Sequence, residues 1–250
     1  MNNPRIDIAD AVSAFASAGF DYIDLTLEYP KAHIDVIDKK ETLKILKGSG
    51  LGVVGHTTYY LPYASPIPAL RQAAIEDVIK TLAFFKEAGA PTVTVHPDSG
   101  VGTMDSKISV SLNALSFKIL SDEAAKHDLT IVVENMPGYY SAVESIGGIL
   151  STVPGLRFHL DVGHAFLRGN KFRHLLAAFK DKLVHIHLSD NRTQADDHMP
   201  IGAGNINWAE VIAAIKGIGY DGTITLEVFS ADPRYLAASR DKVLELWNSA

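Results

Sequence analysis

The chain has 250 residues, with 23 Lys and Arg against 29 Asp and Glu, a formal net charge of −6, ten His and no Cys. A 47% apolar and 21% charged composition excludes a largely disordered chain. The missing thiols exclude disulfides, iron–sulfur clusters, thiolate zinc sites and a cysteine nucleophile. The acidic balance argues against broad binding to nucleic acid or anionic membranes. The longest apolar runs are strand-length, short of the ~20 residues a spanning helix needs. The opening MNNPRIDIAD lacks the apolar core of a signal peptide, so the expected location is the cytoplasm.

In chain order, a short run at Arg5–Ile8 precedes a helix over Asp10–Ala18. Strands are then predicted at Tyr22–Leu27, Gly52–His56, Thr92–His96, Thr130–Glu134, Arg157–Asp161, Leu183–Leu188 and Thr223–Val228. Between them lie helical runs at Pro68–Ala88, Ser106–His127, Ser141–Thr152, Phe166–Phe179 and Trp208–Gly217. In the first of these, Leu70, Ala74, Val78, Leu82 and Phe85 follow the helical period. Repeated strand–helix alternation without a Pro/Ser-rich linker predicts one α/β domain over 1–250 with a parallel sheet. A (β/α)8 TIM barrel needs eight strands, and seven are clear. The first is either a stub at Arg5–Ile8 or missing.

The strand ends carry the chemistry. His56, His96, Glu134 and Asp161 close successive strands; His164 follows three residues later; His187 and Glu227 sit near two further ends; Asp196 and His198 occupy one loop. In a parallel barrel these ends share the face on which active sites are built. One His or Asp after a strand is ordinarily a helix cap. Repetition over successive strands points instead to a divalent-metal site, because each polar group buried there needs a partner. Asp24 and Glu28, at the first clear strand, read as ordinary acids. Five imidazoles and four carboxylates suit Zn²⁺ or Mn²⁺ and also Fe²⁺ or Co²⁺. Either two or three ions share the nine, or one ion takes Glu134, Asp161, His187 and Glu227, with the two glutamates as proton carriers. His33, His127 and His174 read as solvated; His159 and His185 read as core or supporting groups.

The segments HPDSG (96–100), VVENMPG (132–138), HLDVGHAF (159–166) and HIHLSDNRTQADDHMPIGAGNINW (185–208) together resemble the xylose-isomerase-like TIM-barrel superfamily, which includes endonuclease IV-type apurinic-site endonucleases. The resemblance to endonuclease IV implies a trinuclear zinc site of His56, His96, Glu134, Asp161, His164, His187, Asp196, His198 and Glu227. The resemblance to sugar isomerases and ketose epimerases implies one Mn²⁺ or similar ion on Glu134, Asp161, His187 and Glu227. Glu134 and Glu227 then act as acid and base through a metal-held enediolate, with His164 and Arg192 on substrate hydroxyls. Tyr59 and Tyr60 are candidates for stacking on a sugar ring or a base; Arg168, Lys171 and Arg192 for holding a phosphate.

The favoured expectation is a metal-dependent isomerase or epimerase of a sugar or sugar phosphate. The loop after Glu28 is short and carries no basic arm for DNA. The alternative is a trinuclear zinc phosphodiesterase acting on nucleic acid; a third reading is a non-catalytic metal-binding subunit. Barrels of this kind often self-associate, so an oligomer is compatible with either enzyme.

Overall fold

The computed structural model describes residues 1–230 and 232–250. Helix α1 (Ile8–Ser17) is followed by β1 (Tyr22–Leu27), α2 (Lys39–Ser49), β2 (Gly52–Thr57), α3 (Pro68–Ala88), β3 (Thr92–Val95), α4 (Ser106–Ala125) and β4 (Thr130–Glu134). Then come a 3-10 turn (Gly138–Ser141), α5 (Val143–Thr152), β5 (Arg157–Asp161), α6 (Val162–Phe166), α7 (Phe172–Phe179), β6 (Leu183–Leu188), α8 (Trp208–Gly217), β7 (Thr223–Leu226) and α9 (Arg234–Ser249). No helix among the described residues is long and apolar enough to cross a membrane. The chain forms two compact units: Met1–Val133 with Gly147–Arg157, and Glu134–Ile146 with Phe158–Ala250.

In the first unit β1 pairs with β2, β2 with β3 and β3 with β4, all parallel. Each strand is followed by a helix long enough to return the chain, which parallel pairing requires. The strands are β-branched runs because both faces are covered: Val93 and Val95 on one face, and Thr94 and Val132 on the other, are each 0% exposed. Helix α3 buries Ala74, Val78, Leu82 and Phe85 and stops at Gly89, whose φ of 85° is the left-handed conformation suited to glycine. Leu70, predicted on that buried face, is exposed. Helix α2 begins at Asp38, which accepts from the N–H groups of Lys40 and Glu41. Such a cap contributes about 1 kcal/mol.

In the second unit β5 pairs with β6 and β6 with β7, again parallel. The register places His159 beside His185 and Asp161 beside His187. Since side chains alternate along a strand, both pairs face the same side.

Several expectations are corrected. Arg5–Ile8 is not a strand: residues 4–6 turn and Ile8 opens α1, so the sheet's first strand is Tyr22–Leu27. Asn2 instead lines β1, donating its backbone N–H to the Asp24 carbonyl and exchanging side-chain bonds with the Thr26 backbone. The helix predicted over Phe166–Phe179 is two, α6 and α7, because Arg168 (φ 51°) and Gly169 (φ 126°) leave the right-handed region. The Ser141–Thr152 run is a 3-10 turn followed by α5. Helices α2 and α9 were not anticipated. The predicted solvated His33 is 2% exposed, 3.2 Å from Asp77 and stacked on Tyr29.

Candidate metal centre

In the second unit Glu134 ends β4, Asp161 ends β5, His187 lies one residue before the end of β6, and Glu227 follows β7. Each offers one ligand atom, and these four atoms lie within 4.8 Å of one another. All four residues are buried. His187 Nδ1 is 3.1 Å from Glu227 Oε2 and 3.8 Å from Asp161 Oδ2. Asp161 Oδ1 is already engaged, accepting the His164 N–H at 2.6 Å as the cap of α6. Gly163 permits this tight turn: a Cβ there would lie 2.5 Å from Ser189 Oγ.

Asn135 locks the arrangement. Its side chain donates to the Asp161 carbonyl and accepts from the Asp161 N–H, each at 2.9 Å. Its own carbonyl accepts from His164 Nδ1 at 2.9 Å. The other nitrogen of His164, Nε2, is 2.9 Å from Asp196 Oδ2, and that same oxygen is 3.2 Å from His198 Nε2. His198 Nδ1 in turn faces the Glu227 carbonyl at 3.3 Å.

Both partners of each imidazole are oxygens that can only accept when Asp196 is ionised, so this bonding pattern suits a doubly protonated ring. Burial opposes that charge on His198, but the Asp196 bond and the nearby Glu227 outweigh it and bring its pKa up to about 9. Burial likewise opposes the charge on His164, and Asp161, Asp196 and Glu134 overcome it, holding the group well above the ordinary histidine value. Burial would raise Asp196, yet its two histidine partners hold it well below the usual carboxylate range. Asp161 behaves oppositely: burial, reinforced by Glu134 and Glu227, pushes it up to about 7 against the pull of His164 and His187. Burial also raises Glu227, but the His187 bond dominates and lowers it overall.

The loop carrying Asp196 and His198 is folded around Asp190, which the sequence did not single out. Its carboxylate accepts from the N–H groups of Asn191, Ile206 and Gly202 and from Trp208 Nε1. Arg192, on this loop, is exposed, and its N–H donates to Asp197. Lys171 donates to Ser141 Oγ at 2.7 Å.

The first unit holds His56 and His96, brought together with Nε2 atoms 2.8 Å apart. Asp24, read from the sequence as an ordinary acid, is 1% exposed with Oδ1 3.4 Å from His56 Nδ1. The parity of β1 carried the signal: Asp24 alternates with the buried Ile23 and Leu25 in a buried strand. Tyr59 and Tyr60 are exposed and meet edge to face. The nine predicted ligands therefore appear as a four-group cluster, a His164–Asp196–His198 triad in the same unit, and a His56–His96 pair in the other.

Residues 12–246 match the family model described as xylose isomerase-like TIM barrel, and the chain belongs to that family. Its (β/α) fold is that of a TIM barrel, with seven strands among the described residues. The uncharacterized protein MJ1311 of Methanocaldococcus jannaschii is 31% identical over 186 residues, covering 67% of this chain and 62% of that protein. The L-ribulose 3-epimerase of Methylomonas sp. (strain DH-1) is 26% identical over 235 residues, covering 89% and 78% of the two chains. Among solved structures, a D-tagatose 3-epimerase-like protein shares the fold with a TM-score of 0.83 and 24% identity, over 95% of this chain and 93% of that one. The match thus spans less than two thirds of the archaeal relative's length.

Proposed function

We propose that this protein is a metal-dependent ketose 3-epimerase, acting on a free ketose or its phosphate, within a single xylose isomerase-like domain over 1–250. The observation that carries the reading is the buried cluster of Glu134, Asp161, His187 and Glu227, with ligand atoms within 4.8 Å of one another. Three carboxylates and one imidazole sharing a buried space leave an excess of negative charge, which a divalent cation would offset. A pure nitrogen and oxygen donor set suits Mn²⁺, Zn²⁺ or a similar ion. Bound there, the ion would polarise the ketose carbonyl and make the neighbouring carbon–hydrogen bond more acidic. The relative named L-ribulose 3-epimerase supports the same substrate class.

Glu134 and Glu227 supply the proton traffic. One carboxylate removes the proton from carbon 3 on one face of the sugar, and the other glutamate, as the acid, returns a proton to the opposite face. Running the pair in the reverse order converts the epimer back. His187 keeps Glu227 ionised and so able to accept. His164 and His198 would reach sugar hydroxyls by exchanging their present bonds to Asp196. Tyr59 and Tyr60 offer stacking faces, and Arg192 is assigned to hydroxyls or a substrate phosphate.

The test is incubation of Mn²⁺-loaded protein with L-ribulose and D-tagatose in D₂O. Epimer formation with deuterium entering at carbon 3 is expected; no incorporation from ketoses or ketose phosphates would sink the reading. One observation favours the phosphodiesterase alternative: His56 and His96, both in the nine-ligand set, meet through their Nε2 atoms at 2.8 Å. Its test is cleavage of abasic-site DNA by Zn²⁺-loaded protein. Against it, His164 and His198 already share Asp196 Oδ2, so recruiting them as ligands requires displacing protons.

A further inference from the structure

We infer that His159 is a positioning residue that holds Glu134 and His187 in ligating orientation; this rests on the proposed role of Glu134 and His187 as ligands. His159 is wholly buried on β5, two residues before Asp161 and on the same side of the strand. Its Nδ1 lies 3.3 Å from Glu134 Oε2. Its ring meets the His187 ring at 4.0 Å between centroids and 73° between planes. His159 thus adjoins two of the four clustered groups at once.

Both carboxylate oxygens of Glu134 face a histidine. Oε2 faces His159, and Oε1 is 3.4 Å from His164 Nδ1. A carboxylate flanked on both oxygens has little freedom to rotate, so it can present one lone pair to an ion in a fixed direction. His159 is itself braced from below. The strand register sets it beside His185, the rings 4.5 Å apart, and His185 Nδ1 is anchored to Thr223 Oγ1 at 2.6 Å. An apolar residue would pack in this layer more cheaply than two histidines. Their presence is explained if the Nδ1 atom of His159 acts on Glu134.

The test uses Mn²⁺ alone, titrated into chelator-stripped full-length protein and followed by the electron paramagnetic resonance of the free ion. In H159N the amide nitrogen replaces Nδ1; in H159Q it falls nearer Nε2; H159L removes it. Affinity is expected to stay near the parent's in H159N and to fall about 10–100-fold in H159L, with H159Q also weakened. Circular dichroism identifies any variant that does not fold. If H159L does not, the contrast between H159N and H159Q carries the test. Equal affinity in the parent and in the folded variants lacking Nδ1 overturns the role of His159 and leaves the metal site standing, as does H159N weakened as much as H159Q. A parent that binds no Mn²⁺ overturns the ligand assignment and this inference with it.

Discussion

His164 Nε2 lies 2.9 Å from Asp196 Oδ2, and the imidazole and carboxylate hold each other in their charged forms. The carboxylate is shared with His198, so a single anion sits between two cations. This group is net positive, and its ring N–H bonds are already made. The neighbouring cluster of Glu134, Asp161, His187 and Glu227 carries the anionic excess. The contrast separates residues suited to binding a cation from residues suited to donating hydrogen bonds.

The first prediction concerns pH. The His198 pKa in the folded protein, about 9, lies above the ~6.5 of an unfolded chain. A raised histidine contributes stability that is fully present below the unfolded value and is lost as pH rises through the folded one. In chelator-treated protein, H198Q should therefore lower the melting temperature at pH 6, and the difference should shrink towards zero by about pH 9.5. Thermal denaturation of parent and variant at both pH values measures it. An equal loss at both would contradict the ion pairing.

A second prediction concerns metal content. Chelation should lower the melting temperature, and added Mn²⁺ should restore it, because a ligand that binds only the folded state stabilises it. Elemental analysis is expected to give one ion per chain, lost in D161N. Three ions per chain would instead support the phosphodiesterase.

Removing a proton carrier should affect chemistry more than folding. E227Q is expected to lower kcat about 10²–10⁴-fold, the usual weight of a general acid or base. Its circular dichroism should match the parent's. Unchanged turnover on a confirmed ketose substrate would remove Glu227 from the mechanism.

The loop that presents Asp196 and His198 depends on close approach at Gly204. A Cβ there would collide with the Asp190 carboxylate and the Asn191 carbonyl. G204A should destabilise the fold by about 1–3 kcal/mol, read from chemical denaturation, and weaken substrate binding by displacing the loop. A variant as stable as the parent would show that Asp190 does not organise this segment.

Much of this was legible in the linear chain. Six of the seven strands lie within one residue of their predicted limits at each end, Gly52–Thr57, Thr92–Val95 and Arg157–Asp161 among them. β-Branched runs buried on both faces are a local signal, and turn residues bound them. Glu134, Asp161, His187 and Glu227 were equally visible, because polar groups closing apolar strands stand out in any order of packing. The break between α6 and α7 was not visible: Phe172, Leu175 and Leu176 extend an apolar pattern across the left-handed Arg168. His33 looked solvated because its partner Asp77 is 44 residues away on α3.

Residue type and strand period alone determined the parallel α/β pattern and the run of candidate ligands at the strand ends, since both are written in neighbours along the chain. Only the tertiary structure decided how those ligands are shared out. The β5–β6 register sets His159 beside His185 and Asp161 beside His187. The fold around Asp190 brings Asp196 between His164 and His198. Whether a buried imidazole is a cation or a ligand depends on which oxygen, tens of residues away, reaches it first, and that is a property of packing.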